Sequence, residues 1–102
     1  DVFGWCENLT HARLPQGMVT IPPNLFNECQ SLVDVNVPSS VIEIGGSAFS
    51  YCTSLATMKL PVGLKTIGSE AFRETGFKNF HFPSTVETIG NSALAHCEEL
   101  ES

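Results

Sequence analysis

Four cysteines and three histidines are the side chains of this chain with the most chemistry to offer. Thiols can pair as disulfides, hold zinc as thiolates, or act as nucleophiles beside a histidine. Cys6, Cys29 and Cys52 recur at intervals of 23 residues, and Cys97 falls in step with them two intervals later, one residue short. No C-x-x-C pair and no paired histidines accompany them, so the zinc patterns are missing. His96 adjoins Cys97, but neighbouring side chains point apart. His11 and His81 stand three repeats apart, too far to share a proton or a metal. No Ser/His/Asp set, phosphate loop or carboxylate pair stands at matching positions. The expectation is a chain with no catalytic residue, no cofactor and no metal.

The cysteine interval belongs to a longer pattern. An apolar residue and a proline close each period: Leu14-Pro15, Val37-Pro38, Leu60-Pro61 and Phe82-Pro83. The prolines are 23, 23 and 22 residues apart. Aligned on them, Ile21, Ile44, Ile67 and Ile89 share a position, followed by Pro22, Gly45, Gly68 and Gly90. Leu25, Ala48, Ala71 and Ala93 come next, then Phe26, Phe49, Phe72 and Leu94. The cysteine position holds Cys29, Cys52, Thr75 and Cys97, and three residues later stand Leu32, Leu55 and Leu100. Phe3, Cys6 and Leu9 echo the same positions in a partial first unit. Phe77 arrives one residue early, which accounts for the 22-residue unit. A fixed period of this length marks a solenoid, whose units bury their apolar faces only by stacking on one another.

Each position predicts a local structure. Leu32 to Val37 ends in period-2 alternation and is rich in β-branched residues, so it reads as a strand. Leu55 to Leu60 and Phe77 to Phe82 read alike, and proline, with no N–H for a ladder, closes each strand. Val41 to Ile44 reads as a second, briefer strand. Gly45, Gly68 and Gly90 read as turn residues, with Ser69 and Asn91 as N-caps of a short helical turn carrying Ala71, Phe72 and Thr75. Stacked coils place the cysteines in one inward column at about 4.8 Å steps. That exceeds the ~3.5–4.5 Å Cβ separation of a disulfide, so buried free thiols acting as small core residues are expected.

The unit P-x-x-h-x-x-I-G-x-x-A-F-x-x-C-x-x-L-x-x-h-x-h, with h apolar, is cleanest from Ile44 to Leu55. It resembles the BspA-like subfamily of leucine-rich repeats, known from bacterial surface proteins and some protists, over about residues 2 to 100. Departures are local: Pro22-Pro23 replaces the glycine turn, Thr75 replaces cysteine and Leu94 replaces phenylalanine. The resemblance implies an α/β repeat, a leucine-rich-repeat solenoid with parallel strands on a concave face and short helical turns or loops opposite. It implies a protein-binding or adhesion module with no catalytic residues in the motif.

Size allows one domain over residues 1-102: a partial unit 1-15, full units 16-38, 39-61 and 62-83, and a partial unit 84-102. No polar cap is legible at either end, so an excerpt of a longer chain, or ends covered by other chains, is expected. Hydrophobic residues make up 42%, but no apolar run approaches the ~20 residues of a membrane span. The net charge of -6 speaks against a nucleic-acid partner, which needs a basic face.

That charge is unevenly placed. The outward strand positions form two columns, His11, Asp34, Thr57 and Asn79 beside Arg13, Asn36, Lys59 and His81. Four strands wide, this stripe would span roughly 15 Å. It is locally positive on a negative body, so an acidic protein would be steered to it. It has no aromatic anchor, and any exposed sheet face must be polar. Trp5 and Tyr51 share a position on the opposite side, filled elsewhere by Glu28, Glu74 and His96. They are candidate partner anchors, although Trp5 could equally pack on a neighbouring coil. Ile42 is expected to be exposed, and Asn8-Leu9-Thr10 is a glycosylation sequon. Two function classes follow: a binding or adhesion segment of a larger surface or secreted protein, and a structural subunit of an intracellular or organellar assembly whose neighbours cap the solenoid ends. An intracellular scaffold is a third.

Overall fold

The computed structural model describes residues 8–77 and 82–94. Successive coils follow a common path. Strand β1 (His11–Arg13) pairs in parallel with β3 (Asp34–Asn36), with His11 opposite Asp34 and Arg13 opposite Asn36. After each closing proline the chain turns sharply: the amides of Met18, Val41, Leu64 and Val86 donate to the carbonyls of Pro15, Pro38, Pro61 and Pro83. It then enters a second, two-residue strand. These are β2 (Thr20–Ile21), β4 (Glu43–Ile44), β5 (Thr66–Ile67) and β6 (Thr88–Ile89), which form a parallel four-stranded sheet in chain order. The brief strand read at Val41 to Ile44 therefore belongs to the more continuous of the two sheets.

The predicted helical turn takes another form. Among the described residues no helix occurs. The third side of each coil is a run of β-turns that rest on left-handed residues, with Asn24, Ser47, Glu70 and Ser92 at one position and Glu28, Tyr51 and Glu74 at another. Turn bonds alternate with bonds to the next coil. Leu25, Asn27 and Cys29 donate to Pro22, Asn24 and Phe26, while Asn24, Phe26 and Glu28 donate to Gly46, Ala48 and Ser50. A helix would keep all these donors within one coil; the turn run sends every second amide to its neighbour. Ser69 and Asn91 cap no helix. Their carbonyls accept the amides of Ser47 and Glu70.

The recurrent glycines answer to space and not to dihedral angle, since Gly17 alone among the described glycines has a positive φ. A Cβ on Gly45 would lie 2.5 Å from the Pro23 nitrogen, and one on Gly68 would lie 2.5 Å from the Gly46 nitrogen. Adjacent coils touch backbone to backbone there, and only glycine permits it.

Inside, each repeated apolar position forms a column. Ile21, Ile44 and Ile67 are fully buried, as are Phe26, Phe49 and Phe72. Phe26 and Phe49 stack with ring centroids 5.3 Å apart, and Phe77 meets Phe72 edge-on at 5.5 Å. Cys29 and Cys52 are buried thiols that form no disulfide, with Thr75 buried in the same column. The Cys52 thiol donates to the Phe26 carbonyl at 3.2 Å, and burial, with Cys29 close by, pushes its pKa from 9.0 to about 12.

Candidate functional site

The outward strand positions build the site. On β1 and β3 the alternation sends Val35 into the core and leaves His11, Arg13, Asp34 and Asn36 exposed. Their shared register makes two polar columns, His11 beside Asp34 and Arg13 beside Asn36. Thr57 and Lys59 continue the columns and are exposed. Asn79 and His81 lie outside the described residues, as does Trp5.

The third coil departs from the predicted strand. Residues 55–60 form none. Between coils one and two the Val33 and Asp34 amides reach the Thr10 carbonyl, and the Leu14 amide reaches the Asn36 carbonyl. The equivalents one coil on would run from the Ala56 amide to the Val33 carbonyl and from the Val37 amide to the Lys59 carbonyl. Neither bond is present. At this break Met58 stands where β3 has Val35 and β1 has Ala12. In the stripe two segments are thus paired strands, and the third, residues 57–59, has no strand pairing with β3.

A cleft of 660 Å³ lies along this break. Asp34 to Val37 and Ser39 form one wall, and Thr57 to Val62 form the other. Val62, at its rim, is 78% exposed. Sequence reading missed this residue, although a signal existed: the position after the proline is polar in the other coils, with Gln16, Ser39 and Ser84.

The cleft lining carries one cation, Lys59, and one carboxylate, Asp34. Ion pairs among the described residues involve Arg73, which lies 3.3 Å from Glu70 and 4.0 Å from Glu74. Arg13 and Lys59 have no such partner among the described residues. The basic column therefore meets solvent uncompensated, with Asp34 the carboxylate nearest along the stripe.

The opposite face offers less. Tyr51 is half-buried, and the Arg73 guanidinium sits 5.8 Å from its ring centroid. One ring face is thus occupied from within. Its left-handed backbone recurs at Glu28 and Glu74, so turn geometry, and not a special role for Tyr51, accounts for it. Ile42 is exposed, as expected, and so is Asn8 of the sequon. Ile89 is 48% exposed although its counterparts Ile21, Ile44 and Ile67 are fully buried. No helix of the described residues is long and apolar enough to cross a membrane.

Comparison with known proteins gives these features a family. The BspA type leucine rich repeat region matches residues 1–101 in six copies. A leucine-rich repeat protein from Bacteroides ovatus is 40% identical with a TM-score of 0.91, over 94% of this chain and 25% of its own. The T. pallidum leucine rich repeat protein is 32% identical with a TM-score of 0.94, over 96% of this chain and 46% of its own. A leucine rich cell surface protein from Faecalibacterium prausnitzii is 25% identical with a TM-score of 0.51, over 96% of this chain and 40% of its own. The chain therefore spans less than half the length of these solved proteins. No curated protein matches it. With the 23-residue period, the stacked phenylalanines and the cysteine column, the match over residues 1–101 establishes that the chain belongs to the BspA-type leucine-rich repeat family.

Proposed function

We propose that the chain is a non-enzymatic protein-binding module, a segment of a larger surface or secreted protein used for binding or adhesion. The observation that carries this reading is the exposed stripe of His11, Arg13, Asp34, Asn36, Thr57 and Lys59, whose two cations have no ion-pair partner among the described residues. On a chain of net charge -6 such a stripe attracts acidic protein surfaces. The surface location draws support from the Faecalibacterium prausnitzii neighbour, which is named a cell surface protein. A photo-crosslinking residue placed at Asn36, with Glu28 as the control on the far side, tests the face. Protein adducts formed from Asn36 and not from Glu28 support it; equal yields refute it.

A second reading is a structural subunit whose neighbours cover the solenoid ends, since coils bury their apolar faces only by stacking. Native mass spectrometry of the endogenous protein separates the two. A single heavy chain with more repeats supports the first, and a light chain of 11.0 kDa in a defined particle supports the second.

A further inference from the structure

We propose that the cleft beside β3 is a strand-addition site, where an extended acidic segment of a partner protein inserts between β3 and residues 57–60. This rests on the concave-face reading above and specifies how that face binds.

The backbone on both walls is available. The Asp34 amide and the Asn36 carbonyl point to β1, where they bond Thr10 and Leu14. Successive residues of a strand aim their hydrogen-bonding groups at opposite edges, so the N–H and C=O of Val35 face the cleft. The missing bonds from Ala56 to Val33 and from Val37 to Lys59 leave further donors and acceptors there. An unpaired strand edge of this kind is a template for another chain.

The opening is local. The same two coils are bonded on their other sides, through the pairing of β4 with β5 and through the amides of Ser47, Phe49 and Tyr51, which donate to Ser69, Ala71 and Arg73. A volume of 660 Å³ falls within the roughly 300–1,000 Å³ usual for ligand clefts.

Charge selects the occupant. Side chains of an inserted strand alternate, and those on the exposed face would lie level with Asn36 and Lys59. A carboxylate at that level meets Lys59, with Arg13 two strands away in the same column, and stands one level away from Asp34, the carboxylate of the cleft wall.

The test uses an acetylated, amidated seven-residue peptide that alternates valine and threonine around a central glutamate. It is titrated calorimetrically into the chain, with a copy N-methylated at the glutamate amide as control. Strand addition predicts that N-methylation weakens binding about tenfold or more, through one lost hydrogen bond and the clash of its methyl group. By NMR hydrogen exchange, the Val35 amide slows when the parent peptide binds while the Ile44 amide does not change. Equal affinity of both peptides with Val35 exchange unaltered overturns the inference but leaves the concave-face reading intact. A peptide that fails to bind overturns it too; Asn36 crosslinking then decides separately whether the face binds at all.

Discussion

The ring of Phe49 lies 5.4 Å from that of Phe72, centroid to centroid, and within 2° of parallel to it. The two residues are 23 positions apart, so this contact is the repeat written in space. Phe49 is stacked on both sides, by Phe26 and by Phe72, and is fully buried. Phe49→Ala should cost about 3–5 kcal/mol, the usual range for such a core truncation. Domains hold only about 5–15 kcal/mol in total, so the thermal midpoint should collapse. A circular dichroism melt shifted by one or two degrees would contradict this register.

Backbone contact between coils gives a second test. Gly68→Ala would place its Cβ 2.5 Å from the Gly46 nitrogen and 2.8 Å from the Gly45 carbonyl carbon. Both are backbone atoms that β4, β5 and the turn run hold in place, so relief requires the coils to part. The expected loss is about 1–3 kcal/mol or more, as for overpacking generally. Gly63→Ala, where a Cβ meets nothing within 4 Å, should stay within about 0.5 kcal/mol of the parent. Denaturant midpoints for the two variants check the contrast.

Why the isoleucine, phenylalanine and cysteine columns could be read from sequence follows from their physics. Burial dictates residue type directly, and a solenoid repeats the dictate in every coil. The turn run was harder. Asn24, Ser47 and Glu70 carry no common left-handed signal, because their conformation is imposed by the bonds of Ser47 and Glu70 to the next coil and not by intrinsic preference. Ala71, Phe72 and Thr75 have a spacing that suits either a helical turn or successive β-turns, and periodicity alone cannot separate them. The concave columns of His11, Arg13, Asp34 and Asn36 were legible from alternation. The break at Thr57 to Lys59 was not, since Thr57-Met58-Lys59 keeps the same exposed, half-buried, exposed alternation as the paired His11-Ala12-Arg13.

Cys52 makes the stability pH-dependent. Burial holds its proton up to about 12, whereas an exposed thiol releases it near 9.0. Between those values the folded chain keeps a proton that the unfolded chain has lost. Stability contributed by the neutral thiol is therefore fully present below pH 9 and declines as the pH rises toward 12. Thermal midpoints measured across this window should fall in the parent and fall less in Cys52→Ala, the difference isolating this thiol from other groups that titrate there. Parallel curves would mean that Cys52 meets solvent.

Lys59 tests the concave face through its charge. It is exposed, lies in the cleft wall and has no ion pair among the described residues, so reversing it should leave the fold untouched. Lys59→Glu should keep the thermal midpoint within about 0.5 kcal/mol of stability. Its effect on an acidic partner should be larger, about tenfold in affinity, because an attraction becomes a repulsion. The loss should shrink as salt rises, since exposed charges are screened within about 8 Å at physiological ionic strength. Titration of the crosslinked partner, once identified, into both proteins at low and at high salt reads both effects. A tenfold loss that persists unchanged at 1 M salt would point to displaced packing at Met58 and Val62 and not to charge, and unchanged affinity at low salt would remove Lys59 from the binding face altogether.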